Sequence, residues 1–259
     1  MKSITVISLI FLFMLITVKA EIPGINQLIF QGKKLITEGS NNFDKALLLE
    51  GRGMFERVLN DNPDNDLALY YLTYSDYLLS IYSMNNEKEI FNRIIDEAID
   101  NGEKYLLKNE NSAEMLALMS TIYGIKISVY PDLATTLGPK NFAMISKALS
   151  LEPNNPRVLL EAGISKFNAP PYYGGSKTEA LKYFQKSVDS FEKIVAPDTM
   201  QPDWGHLEAL AWLGMSYSSL NEYDKAIQFY KKAMEINPEY KWIKYQLLPD
   251  AQKKAALTK

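Results

Sequence analysis

Residues 207–240 read LEALAWLGMSYSSLNEYDKAIQFYKKAMEINPEY, and their spacing decides the fold. Leu210, Leu213, Gly214 and Tyr217 fall at i, i+3, i+4 and i+7, which is one face of a helix. Ala226, Tyr230 and Ala233 mark a second apolar face, and Pro238 prevents its continuation. Asn221 is expected to cap this second helix, with Asp224 suiting its first turn. Gly214 and Ala226 are small where two antiparallel helices must approach, and the aromatic side chains fill the space beside them. The stretch is a helix-turn-helix hairpin. Alone it cannot bury its apolar face, so it must stack on neighbours.

The pattern Leu210-x2-Leu213-Gly214-x2-Tyr217-x8-Ala226-x3-Tyr230-x2-Ala233-x4-Pro238 resembles the tetratricopeptide repeat (TPR) at nearly every signature position. Leu210 stands where that family usually carries Trp. Weaker copies precede it. Leu67-x2-Tyr70-Tyr71-x2-Tyr74 opens one hairpin, followed by a long helix after Asn86 with Ile90, Phe91, Ile94, Ile95, Ala98 and Ile99 on one face. Leu116-x2-Met119-Ser120-x2-Tyr123 opens another, closed by Ala148-x4-Pro153 after an expanded connection around Pro131 and Pro139. Leu159-x2-Ala162-Gly163 pairs with Ala180-x3-Phe184-x2-Ser187. Gly51-x3-Phe55-x2-Val58-x4-Pro63 reads as the second helix of a hairpin whose first lies near Ile25 to Thr37.

Asn86-x-x-Glu89, Asn111-x-x-Glu114 and Ser176-x-x-Glu179 are capping-box arrangements before apolar periodic runs. No sustained strand alternation occurs. After Pro238, Trp242, Ile243, Gln246 and Leu247 predict a short amphipathic helix that covers the last apolar face. The expected fold is all-α: a superhelical stack of about five TPR-like hairpins over residues 21–259, with a C-terminal capping helix. The clearest repeat spans 207–240.

Met1 to Ala20, MKSITVISLIFLFMLITVKA, reads as a signal peptide. Lys2 supplies the positive start, Ile4 to Val18 is apolar, and Val18-Lys19-Ala20 offers a cleavage site. Its apolar run is shorter than the roughly 20 residues that span a bilayer. Removal of Lys2 and Lys19 takes the positive side chains from 28 to 26 against 31 acidic ones, a net charge of −5. The absence of cysteine excludes a lipid-modified N-terminal cysteine, zinc fingers and cysteine nucleophiles. Without cysteines or an Asn-x-Ser/Thr sequon, a bacterial periplasm or the cell exterior fits best. The acidic balance gives nucleic acid no electrostatic support. No span is expected after the signal.

Chemistry-bearing motifs are sparse. There is no P-loop, dinucleotide-binding glycine pattern or Gly-x-Ser-x-Gly elbow, and His206 is the single histidine. Gly51-Arg52-Gly53 reads as a packing site. Asp61, Asp64 and Asp66 sit at a helix-to-helix turn, where capping explains them better than calcium. No metal, cofactor or enzymatic activity is expected. Tyr70, Tyr71, Tyr74, Tyr77 and Tyr82 crowd one helix, mainly as core, and Trp204, Trp212 and Trp242 are expected to join the last hairpin to its cap.

The segment Phe167-Asn168-Ala169-Pro170-Pro171-Tyr172-Tyr173-Gly174-Gly175-Ser176 lengthens the fourth hairpin's connection by about five residues relative to the repeat. Pro-Pro forces an extended path and Gly-Gly permits positive φ. The segment reads either as a rigid turn or as a loop that presents its tyrosines to a ligand. Phe167, Asn168, Tyr172, Tyr173, Gly174 and Gly175 are the candidate binding residues. Resemblance to TPR proteins implies a scaffold for a protein or peptide, bound on the concave face. The Lys/Asn carboxylate clamp of one TPR class is absent, since Ala68, Leu72, Ala117, Thr121, Ala211 and Met215 hold the inward positions. The alternative is a periplasmic carrier of a small apolar ligand, similar to TPR subunits resembling TRAP-transporter accessories.

Overall fold

The computed structural model describes residues 24–195 and 201–258, so the expected signal at 1–20 and its cleavage site lie outside the described residues. Eleven α-helices follow in order: α1 (Ile25–Asn42), α2 (Lys45–Asp61), α3 (Asp66–Ser83), α4 (Lys88–Lys108), α5 (Ala113–Val129) and α6 (Ala134–Leu151). They continue as α7 (Pro156–Asn168), α8 (Lys177–Phe191), α9 (His206–Ser219), α10 (Tyr223–Ile236) and α11 (Leu248–Leu257). Successive helices pair, α1 with α2 through α9 with α10, and α11 closes on α10. Each first helix also packs on the preceding hairpin, as α3 does on α2 and α9 on α8. The result is the all-α stack of five hairpins with a terminal cap.

One packing device recurs. Gly32 on α1 faces Phe55 on α2, where a Cβ would lie 2.6 Å from the ring Cζ. Gly163 meets the ring of Phe184 in the same way, and Gly214 meets that of Tyr230. All three rings are fully buried. The glycine lets the helices close, and the ring then removes apolar surface from water.

Several helix ends depart from the sequence reading, each for a local reason. Asn221 does not cap α10. It sits at φ 63°, while Glu222 N–H donates to Tyr217 O at 2.9 Å and Asn221 N–H to Ser218 O at 3.1 Å. That is a Schellman stop for α9, with asparagine in the left-handed position. Asn111 gives way to Ser112, whose hydroxyl accepts from Met115 N at 3.4 Å. Asn86 does not cap α4 either: Glu87 precedes that helix, and its carboxylate is taken by Lys45 and Ser83. Ser176 caps α8 as expected, accepting from Glu179 N at 3.2 Å, but the Glu179 side chain pairs with Lys166 instead of turning back.

Pro139 lies inside α6 rather than in a connection. The carbonyl it leaves unpaired, on Thr135, belongs to an exposed residue that water can satisfy. The terminal helix is longer than predicted, because a widened turn at Ile243–Leu247 runs directly into α11. Pro249 lacks the N–H that a regular turn needs there, and the extra residue in the turn accommodates it.

Candidate functional site

The insertion between α7 and α8 is a compact, hydrogen-bonded turn. Tyr173 N donates to Pro170 O at 2.9 Å, Gly175 N to the same oxygen at 3.0 Å, and Ser176 N to Lys166 O at 2.8 Å. Lys166 Nζ donates to Gly174 O at 3.0 Å. Gly174 has φ 84°, and a Cβ on Gly175 would collide with the Ala169 carbonyl oxygen. Both glycines are therefore required by the path of the backbone. Tyr172 and Tyr173 stand 79% and 61% exposed, their ring centroids 4.5 Å apart.

The other candidates play different parts. Phe167 is partly buried and packs edge-on to Trp212 at 5.4 Å, with Lys177 Nζ 3.2 Å above its ring centroid. Asn168 donates its side-chain amide to Ile164 O at 3.0 Å, finishing α7. The structure thus divides the six residues: two exposed rings, two glycines shaping the turn, and two residues that belong to the end of α7.

The larger surprise is the inner face of the stack. The first helices α3 and α5 are buried on nearly every side, from Ala68 to Ser80 and from Ala113 to Tyr123. What covers α3 is the chain leading into α9. Trp204 stacks on Tyr74, centroids 4.4 Å apart, and its Nε1 donates to Tyr70 Oη at 3.1 Å. Tyr70 donates in turn to Glu114 at 3.3 Å. Arg157 pairs with Glu114 at 2.7 Å and donates to Trp204 O at 3.3 Å, which closes the circuit. Alongside, Tyr71 donates to Asp203 Oδ1 at 3.1 Å, and Lys33 reaches Asp203 at 3.2 Å. This strap ties α1, α3 and α7 together. Trp204 does not join the last hairpin to its cap, whereas Trp212 and Trp242 do meet, edge-on at 5.9 Å.

Two glutamates, on α7 and α9, have raised carboxyls. Glu161 on α7 is 1% exposed and accepts a hydrogen bond from the Thr121 hydroxyl. Burial, together with the charge of Glu208, pushes its carboxyl up to about 8. Glu208 on α9 is raised as well, again by burial, against hydrogen bonds from its own backbone N–H and that of Gly205. Burial holds Tyr74, Tyr77 and Tyr240 well above the usual phenol range, and the Glu208 charge adds to each shift. Thr121, one of the inward-facing residues, thus donates to a buried acid. Sequence reading missed the place of Trp204 on α3 and the burial of Glu161. A glutamate inside the apolar run Val158–Gly163 was the available signal.

Elsewhere the titratable groups are structural. Arg52 on α2 contacts Asp76 at 2.5 Å, Glu97 at 2.9 Å, and Glu56. Asn101 adds a bond to Asp76 at 3.1 Å, while burial still pushes that carboxyl up to about 6. Asp64 pairs with Lys108, and Asn65 caps α3. His206 stacks on Phe191 at 5.3 Å.

Comparison with known proteins agrees with the architecture. The tetratricopeptide repeat model matches residues 207–240. Among solved structures the chain is similar to the HusA haemophore from Porphyromonas gingivalis, with TM-score 0.63 and 19% identity, over 76% of this chain and 94% of that one. It is also similar to a thermophilic TPR protein of Thermus thermophilus, with TM-score 0.60 and 16% identity, over 85% and 98% of the two chains. At such identities the likeness is one of fold. A search of curated proteins gives no match.

Proposed function

We propose that this chain, a TPR solenoid with its clearest repeat at 207–240, is an exported, non-catalytic scaffold that binds a protein or peptide partner. Solenoids of this kind serve as interaction scaffolds through their extended surfaces. The observation that carries the reading is the rigid insertion holding Tyr172 and Tyr173 in water. Two adjacent exposed rings gain nothing from the fold, and tyrosine is the side chain that interfaces favour. Trp204 fills the inner face beside α3, so recognition shifts to the turn between α7 and α8. Export is supported by Lys2, the apolar run from Ile4 and Val18-Lys19-Ala20.

The test is a photo-crosslinking amino acid at position 172, introduced in the native host. A single cross-linked species that Tyr173→Ser abolishes is the expected result. Uniform failure to cross-link in folded, exported protein overturns the reading.

A further inference from the structure

We propose that the inner face of α1, α3 and α7 is a binding site for an extended segment carrying Asp-Trp, that the chain's own residues 201–205 occupy it, and that a partner protein with such a segment displaces them. The connection from α8 to α9 runs over residues 192–205, whereas those into α3, α5 and α7 run over 62–65, 109–112 and 152–155. A hairpin stack needs only the short form. Residues 201–205 of the longer connection lie instead on helices of other hairpins.

The contacts there are those of a peptide in a groove. Side chains from three helices bind three backbone groups of the strap. Gln201 O accepts from Lys33 Nζ at 2.7 Å, Asp203 N donates to Tyr71 Oη at 3.3 Å, and Trp204 O accepts from Arg157 at 3.3 Å. Such main-chain bonds hold an extended segment, and side-chain sites then select its sequence. Lys33 and the Tyr71 hydroxyl select a carboxylate at 203. The ring face of Tyr74 and the hydroxyl of Tyr70 select an indole at 204. Lys33, Tyr70, Tyr71, Tyr74 and Arg157 are all at least nine-tenths buried, and all stand on helices, which hold a site more rigidly than loops do.

The strap fills this groove incompletely. Arg157, which holds it through one guanidinium nitrogen, keeps a buried Nε with no hydrogen-bond partner among the described residues. Clefts of about 400 and 410 Å³ flank the strap, one between Phe30 and Asp203, the other between Tyr70, Glu152 and Pro202. Phe30 is 54% exposed in the first. A partner segment longer than the strap gains these surfaces, and that gain is the differential affinity that displacement requires.

The inference goes beyond the exposed tyrosine pair and is tested apart from it. The probe is a fluorescein-labelled, amidated peptide Gln-Pro-Asp-Trp-Gly, followed by fluorescence polarisation on the soluble chain from residue 21. Asp203→Ala removes an exposed side chain that holds the strap to Lys33 and Tyr71. It should bind the peptide at least about tenfold more tightly than wild type, in which the strap reduces the fraction of open groove. Asp203→Ala with Trp204→Ala should bind at least as tightly, and the peptide should raise its thermal midpoint; if that variant does not fold, Asp203→Ala alone decides. Adding Tyr71→Phe to Asp203→Ala should weaken binding about tenfold, because the hydroxyl that meets the peptide's carboxylate is gone. Tyr172→Ser and Tyr173→Ser, added to Asp203→Ala, should leave binding unchanged. Absence of peptide binding by Asp203→Ala overturns the proposal, as does equal binding by wild type and Asp203→Ala. Equal binding of the control peptide Gln-Pro-Ala-Ala-Gly overturns it too.

Discussion

The indole of Trp204 lies flat on the ring of Tyr74, centroids 4.4 Å apart and planes inclined by 18°. The two residues are far apart in the chain, and their contact brings the approach to the last hairpin onto the second. Stacking and the circuit through Tyr70, Glu114 and Arg157 act on the same strap. Trp204→Ala removes a buried indole and leaves a cavity beside Tyr74, at a cost of about 3 kcal/mol. For a domain of this size that corresponds to a fall of about 6–12 °C in the thermal midpoint. Calorimetry checks it; an unchanged midpoint means the strap is not held in solution.

Gly214 and Tyr230 test the hairpin stack. Gly214→Leu places a side chain into the volume of the buried ring, where overpacking costs about 1–3 kcal/mol or more. Tyr230→Leu in the same chain should recover part of that loss, since the ring is what the new side chain meets. Urea unfolding of the single and double variants measures both effects. Strict additivity would place the two residues out of contact.

Glu161 gives the fold a pH dependence of defined sign. Its carboxyl titrates near 8 when folded against 4.5 when free. Between those values the unfolded chain has released a proton that the folded chain retains, so stability falls as pH rises from about 4.5 to 8. Asp76, raised to about 6, contributes in the same direction over the lower part of that window. Glu161→Gln removes its own share, which is on the order of a few kcal/mol at pH 8. Denaturation at pH 5 and pH 8 should show a smaller loss for the variant; parallel losses would contradict the buried acid.

In the insertion, Gly175→Ala should open the turn because its Cβ meets the Ala169 carbonyl oxygen. A Cβ at position 174 would meet no atom, but Gly174→Val is strained at φ 84°. Tyr172→Ser with Tyr173→Ser removes only exposed rings, so the double variant should melt within about 1 °C of wild type. Limited proteolysis of the loop separates the cases: faster cleavage for the glycine variants, unchanged cleavage for the tyrosine pair. Faster cleavage of the tyrosine variant would make those rings part of the turn's own support.

Protein recovered from the native host should begin at Glu21, which intact-mass measurement reads directly. Full-length chain in the membrane fraction would end the export reading.

The hairpins were legible because each is local. Gly214 and Tyr230 lie 16 residues apart, and helical periodicity with a small residue opposite a ring is written within one repeat. Glycines at 174 and 175 announced a special backbone path for the same reason. Cap positions were less secure, since Asn111 and Ser112 are both competent and one residue of backbone path chose between them.

The sequence by itself determined the all-α stack, its five hairpins and the tight shape of the insertion, because those follow from interactions between residues close in the chain. Tertiary structure alone decided that Trp204 covers Tyr74, that Lys33 meets Asp203, and that Thr121 donates to the buried Glu161. These partners come from different hairpins, and their meeting depends on how far each hairpin turns relative to the last. That turn is the sum of many small packing offsets, and no periodicity in the chain records it.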